Sequence, residues 1–149
     1  MYPYYNNNFA SFQQQRNKEL AAKIEKAIDG EYAAIHCYKQ LETLAPTQRE
    51  RQIINEIRRD EIKHYNTFSY IYAELTGQKH SAVITEACPQ NYRSGVDFAF
   101  LDEQKTVDFY LEIAESTNND FIKESFRTAA MDEQNHAVWF LYFIISSKK

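Results

Sequence analysis

Asp60-Glu61-Ile62-Lys63-His64 and Asp132-Glu133-Gln134-Asn135-His136 decide the fold, because they are one motif written twice. Each Asp-Glu-x-x-His is preceded by a lone Glu 30 residues before its own Glu, Glu31 in the first case and Glu103 in the second. Every member of the first set recurs 72 positions later. On a helix, residues three apart lie about 60° apart around the axis and roughly 4.5 Å along it, so each Glu and His of a Glu-x-x-His reach one point. Four carboxylates and two imidazoles contributed by four helices are the ligand set of a two-metal carboxylate site.

The residues around the motifs have a helical period. Ile24, Ala27, Ile28, Glu31, Ile35, Tyr38 and Leu41 share a face, as do Ile54, Ile57, Glu61, His64, Phe68, Ile71 and Leu75. In the second half Val96, Ala99, Phe100, Glu103, Val107, Tyr110 and Ile113 repeat the pattern, followed by Ile122, Phe126, Ala129, Glu133, His136, Phe140 and Ile144. The echo extends to the apolar positions: Ile24 returns as Val96, Ala27 as Ala99, Leu41 as Ile113 and Phe68 as Phe140. Each half therefore reads as one helix hairpin that cannot cover its own stripe, and the two must pack on each other about a pseudo-twofold axis.

Boundaries follow from the breakers. Pro46 separates the first two helices and is placed at or near N1 of the second, which runs from about 47 to 75 with Gly77 as its C-cap. Residues 78–94 form a long connection with Gly95 at its far end. Asn118, Asn119 and Asp120 supply a turn and an N-cap for a fourth helix over 120–146. Residues 1–16, rich in Tyr, Asn and Gln, have little to bury and are expected to be a flexible tail ahead of a single domain over 17–149. The expected architecture is all-α: a four-helix bundle with one long crossover between helices two and three.

Composition narrows the function. A net charge of −4 disfavours a nucleic-acid binder. The longest apolar run, the nine residues Ala137–Ile145, is too short to span a bilayer, and no secretory signal is expected. That run surrounds its helix, so one side is expected to meet either a second subunit, in a homodimer, or the crossover. Two cysteines, Cys37 and Cys88, without a Cys-x-x-Cys, exclude a zinc ribbon on this chain and make a disulfide framework unexpected. Cys37 is read as packing, Cys88 has no evident partner, and His36 and His80 are read as surface groups. A cytoplasmic location is the default expectation.

Each metal is expected to take a terminal carboxylate, Glu31 or Glu103, and one imidazole, His64 or His136, with Glu61 and Glu133 bridging. Four negative charges match two divalent cations, and oxygen donors with a few imidazoles suit Fe or Mn. Ionised carboxylates on an apolar stripe cost several kcal/mol without a counter-charge, which is the physical argument for the cations. Asp60 and Asp132 are expected to accept the free N–H of a ligand histidine across the bundle, Asp60 from His136 and Asp132 from His64. Tyr38 and Tyr110, two turns beyond the terminal carboxylates, are expected to hydrogen-bond ligand carboxylates. The bland alternatives are surface ion pairs for the two Asp and core filling for the two Tyr.

These residues resemble the ligand pattern of the ferritin-like superfamily, with the rubrerythrin-like and bacterioferritin-like proteins as the nearest branch. The resemblance covers about residues 17 to 146. It implies a non-haem centre of two Fe ions, Mn being the alternative, oxidised by peroxide or dioxygen and re-reduced by an external electron donor. Where rubrerythrins carry an extra Glu one turn after the third-helix ligand, this chain has Thr106. The alternatives are a ferroxidase that handles iron, and a metal-stapled structural protein, spore-associated by weak analogy of its Tyr/Asn-rich start. No nucleic-acid or membrane partner is expected.

Overall fold

A computed structural model describes residues 4–147 as four helices: α1 (Tyr4–Leu44), α2 (Gln48–Thr76), α3 (Tyr92–Glu115) and α4 (Asp120–Ser146). The helices form an all-α bundle. α1 packs chiefly on α2 and α3 on α4, the two hairpins meeting through α1 against α3 and α2 against α4. The hairpins are thus joined along two seams, and it is these seams that bring the repeated motifs together. Among the described residues, no helix is long and apolar enough to cross a membrane.

The caps fix the hairpins locally. Thr47 accepts from the Glu50 backbone N–H at 3.1 Å to start α2, so Pro46 lies just outside the helix rather than at N1. Gly77 ends α2 with φ 71° and donates to Ala73 O at 2.8 Å, a conformation that favours glycine. Asn91 caps α3 through Ser94 N, so Gly95 lies inside the first turn rather than in the connection. A Cβ on Gly95 would stand 2.3 Å from Leu41 Cδ2, and Leu41 is fully buried, so this close approach of α3 to α1 requires glycine. Asn119 caps α4 through Ile122 N at 3.0 Å.

α1 begins far earlier than the expected residue 17. Residues 8–19 are helical but wholly exposed, linked along the helix by Gln13–Asn17 at 3.3 Å and Gln15–Glu19 at 3.1 Å. No glycine or proline interrupts 4–29, so the helix nucleated by the buried part of α1 extends through a segment with nothing to bury. Residues 1–3 of the expected tail lie outside the described residues.

The connection between α2 and α3 runs along α1. His80 Nε2 and the Val83 backbone N–H both reach Asp29 Oδ1, at 2.8 and 2.9 Å. Further on, Gln40 donates to Pro89 O at 2.8 Å. His80 is therefore a half-buried tether and not a free surface group. The crossover leaves the outer side of α4 uncovered, where Val138, Tyr142 and Ile145 stay exposed. Cys37 and Cys88 form a disulfide with Cα atoms 5.3 Å apart, which corrects the expectation that they are unpaired. Their separation of 51 residues carries no local signal; the path of the crossover along α1 creates the pair.

Two apolar layers flank a polar one. On one side Ile24, Ile28, Phe68, Ile113 and Phe126 pack together, with the Phe68 and Phe126 rings stacked 4.1 Å apart. On the other, Leu41, Ile54, Val96, Phe140 and Phe143 do the same. A fully buried side chain of this kind stabilises by about 1.5–3 kcal/mol, so each layer is worth enough to hold unfavourable groups between them. Most of the expected inward residues are buried; Ile35, Leu75, Phe100, Val107 and Ile144, at the edges of the stripes, are half-buried.

Candidate metal centre

The middle layer holds all six expected ligands. Glu31, Glu61, His64, Glu103, Glu133 and His136 are each at most 7% exposed. They fall into two overlapping groups, Glu31, Glu61, His64 and Glu133, and Glu61, Glu103, Glu133 and His136. Within each group one ligand atom per residue lies within 4.8 Å of all the others. Glu61 and Glu133 belong to both. That sharing follows from the pseudo-twofold arrangement of the helices, in which each Glu-x-x-His faces its own echo.

The histidines are held from behind. His64 Nε2 lies 2.8 Å from Asp132 Oδ2 and His136 Nε2 lies 3.1 Å from Asp60 Oδ2, so each ring donates outward and turns Nδ1 inward. Asp60 also meets Lys63 Nζ at 3.0 Å; burial would raise its carboxyl, but Lys63 and His136 outweigh burial and hold it below its ordinary value. The ion pair and the histidine contact coexist on opposite oxygens of one carboxylate.

The tyrosines hold the terminal carboxylates crosswise. Tyr38 on α1 donates to Glu103 on α3, and Tyr110 on α3 donates to Glu31 on α1. Burial and the adjacent carboxylate, Glu103 for Tyr38 and Glu31 for Tyr110, raise both phenols well above their ordinary value, so both remain donors. Each phenol packs on the phenylalanine one turn after a ligand histidine, Tyr38 on Phe140 and Tyr110 on Phe68, both at 5.2 Å between ring centres.

Several ligand atoms have no partner within the protein. Both oxygens of Glu61, one each of Glu103 and Glu133, and the Nδ1 atoms of His64 and His136 are buried without a hydrogen-bond partner. His64 Nδ1 is 3.1 Å from Glu133 Oε1 and 3.3 Å from Glu31 Oε1, yet hydrogen-bonds to neither. His136 Nδ1 is 2.8 Å from Glu61 Oε1 and 3.6 Å from Glu103 Oε2. Unpartnered buried polar atoms are rare, and a positive ion among these would satisfy them. The donor set, four carboxylates and two imidazoles with no thiolate, fits two divalent Fe or Mn ions.

The ligand groups shift one another. Burial and the neighbouring carboxylates raise Glu61 and Glu133 well above the usual carboxylate range. Burial would also raise Glu31, but Glu61, His64 and Tyr110 lower it. Burial works to lower both imidazoles; Asp132 and the site carboxylates overcome it at His64, and Glu103 leads the same effect at His136, which is raised to about 9.

A cavity of about 190 Å³ between α1 and α3 opens the layer to the outside, with Glu31, Glu103 and Glu133 on its wall. Gly30, Ala34 and Thr106, small residues on facing helices, also line it. Asp102 lines the same opening, its carboxyl raised to about 6 by burial and by Glu103 and Glu86. This access route, Asp102 and the disulfide beside it are the features that residue spacing did not disclose. Only the pairing of α1 with α3 brings them to one place.

No protein-family model matches the chain. The Bacillus subtilis (strain 168) protein YhjR, itself uncharacterized, is 52% identical over 126 residues, spanning 85% of this chain and 87% of YhjR. The solved structure of a hypothetical protein from Pyrococcus furiosus superposes with a TM-score of 0.74 at 21% identity, covering 84% of this chain and 87% of that one, and so shares its fold. By the extent and identity of its match, this chain belongs to the YhjR family.

Proposed function

We propose that the chain is a non-haem di-iron carboxylate protein of the ferritin-like, rubrerythrin-like kind, whose centre is oxidised by peroxide or dioxygen. The observation that carries this reading is the sharing of Glu61 and Glu133 between two ligand groups that are otherwise complete and equivalent. Glu31 with His64 would hold one ion and Glu103 with His136 the other. When bound, the iron pair supplies the two electrons that reduce the oxidant. Mn is the alternative metal, since the donors suit both.

The chain's own residues keep the ligands in place. Asp60 and Asp132 fix the histidine rings with Nδ1 inward. The Tyr38 hydroxyl satisfies one oxygen of Glu103 and leaves the other without a partner, and the Tyr110 hydroxyl satisfies one oxygen of Glu31. The two phenylalanine-rich layers exclude water from both ends, so a small oxidant would reach the layer through the opening between α1 and α3. In a cytoplasmic setting, peroxide removal would be the corresponding role.

Stopped-flow mixing of anaerobic Fe(II)-loaded protein with peroxide, and separately with dioxygen, tests the reading. Growth of near-ultraviolet ferric absorption with either oxidant is the expected result; silence with both would leave only the metal-stapled structural role. The acidic residues beside the opening, Asp29, Glu86 and Asp102, favour a second reading in which ferrous iron is itself the substrate and is oxidised for storage. Gel filtration separates the two, because storage needs a large hollow assembly and peroxide reduction does not.

A further inference from the structure

We propose that Cys37 and Cys88 are a reversible dithiol/disulfide pair that supplies two electrons to the metal centre, so that the chain reduces peroxide at the expense of its own thiols. The proposal rests on the di-iron reading above and names the immediate electron source for that site.

The chain's two cysteines meet on the wall of a cavity of about 370 Å³ beside α1. This cavity and the one that reaches Glu31, Glu103 and Glu133 share Lys26, Gly30, Ala34, Tyr38 and Asp102, so the disulfide and the ligands line adjoining parts of one depression. Tyr38 directly follows Cys37 and donates to Glu103, which makes a short path from sulfur to ligand.

The pair is built to open and close. Cys37 is buried on a helix, whereas Cys88 is half-buried on an irregular segment, so one sulfur can move without unwinding anything. The crossover is fastened to α1 on both sides of the disulfide, by Asp29 to His80 and Val83, and by Gln40 to Pro89. Reduction would therefore leave the two thiols facing each other, ready to re-form the bond. Those contacts hold the crossover in place whichever state the sulfurs are in. Partly accessible disulfides are also the ones open to exchange with external thiols.

The chemistry balances. One peroxide and two thiols give one disulfide and two waters: the O–O bond and two S–H bonds break, the S–S bond forms, and both thiol protons end in water. Sulfur is oxidised and peroxide oxygen reduced by two electrons each. A small-molecule or protein dithiol restores the pair by exchange, attacking at Cys88.

The test is an anaerobic titration of fully reduced, Fe(II)-loaded protein with hydrogen peroxide. Free thiols are counted after acid quench and denaturation. The wild type is expected to consume about two equivalents and to lose both thiols, because two Fe(II) and two thiols hold four electrons; Cys37→Ala/Cys88→Ala protein is expected to consume about one. The proposal is overturned if the loaded wild type keeps both thiols after two equivalents. It is equally overturned if metal-free protein loses them as fast as loaded protein, since the thiols would then react directly. The wild-type thiol count decides the matter even if the variant folds poorly. If Fe(II) oxidation is absent from wild type and variant alike, the di-iron reading itself falls and takes this proposal with it.

Discussion

Asp132 Oδ2 and His64 Nε2, 2.8 Å apart, make the clearest single contact behind the proposed centre, and its echo joins Asp60 to His136. Replacing either carboxylate by an amide removes the anionic acceptor and lets the ring reorient. Asp132→Asn and Asp60→Asn should each weaken metal binding by about 10- to 100-fold, measured by competition with a chromophoric chelator. The two effects should be similar, because the halves are equivalent. Lys63→Met should leave affinity unchanged, since its pair with Asp60 is on the solvent side, and exposed pairs of this kind are worth about 1 kcal/mol or less. Unchanged affinity in both Asn variants would remove the positioning role from the account.

At the scale of elements, the disulfide joining α1 to the crossover has a measurable weight. Closing a loop across a separation of 51 residues stabilises by on the order of 4 kcal/mol through the entropy of the unfolded chain. Reduction should lower the melting temperature in calorimetry while leaving helix content intact, because Asp29 and Gln40 still fasten the crossover. Loss of helix content on reduction would show that those fastenings are insufficient. The 3.6-residue stripe of α4 and its Asn119 cap were readable residue by residue, because both are local. The crosswise bonds of Asp60, Asp132, Tyr38 and Tyr110 were readable because the repeat dictates a symmetry. The Cys37–Cys88 bond was not, since it depends on which side of the bundle the crossover takes. The early start of α1 was missed for a different reason: weak apolar content argues against burial, and burial is not required to extend a helix already formed.

For the whole molecule, the polar layer makes stability, pH and metal one linked problem. In metal-free protein His136 is raised from 6.5 to about 9, the site carboxylates led by Glu103 overcoming burial. Its contribution to stability is therefore complete below pH 6.5 and is lost as pH rises through about 9. Glu61 and Glu133 shift in the same direction, through burial and the neighbouring carboxylates, so their contribution also falls as pH rises above the ordinary carboxylate range. Metal-free protein should melt at falling temperature from pH 6.5 to 9. A divalent metal binds the deprotonated ligands, so its stabilising effect should grow over the same interval, with release of protons on binding. Thermal melts with and without Mn(II) across that range check the sign; a metal-free melting temperature that climbs with pH would contradict it.

In the proposed centre the repeated Glu and Glu-x-x-His motifs would hold two metals, with Glu61 and Glu133 shared between them. Metal analysis of protein loaded anaerobically with Fe(II) and freed of excess tests this most directly. About two ions per chain are expected in the wild type, one for each of the two ligand groups. Almost none are expected in Glu61→Ala or Glu133→Ala, because either change removes a ligand from both ions at once. A wild type that holds no transition metal, or a Glu61→Ala protein that keeps both ions, would contradict the proposed centre.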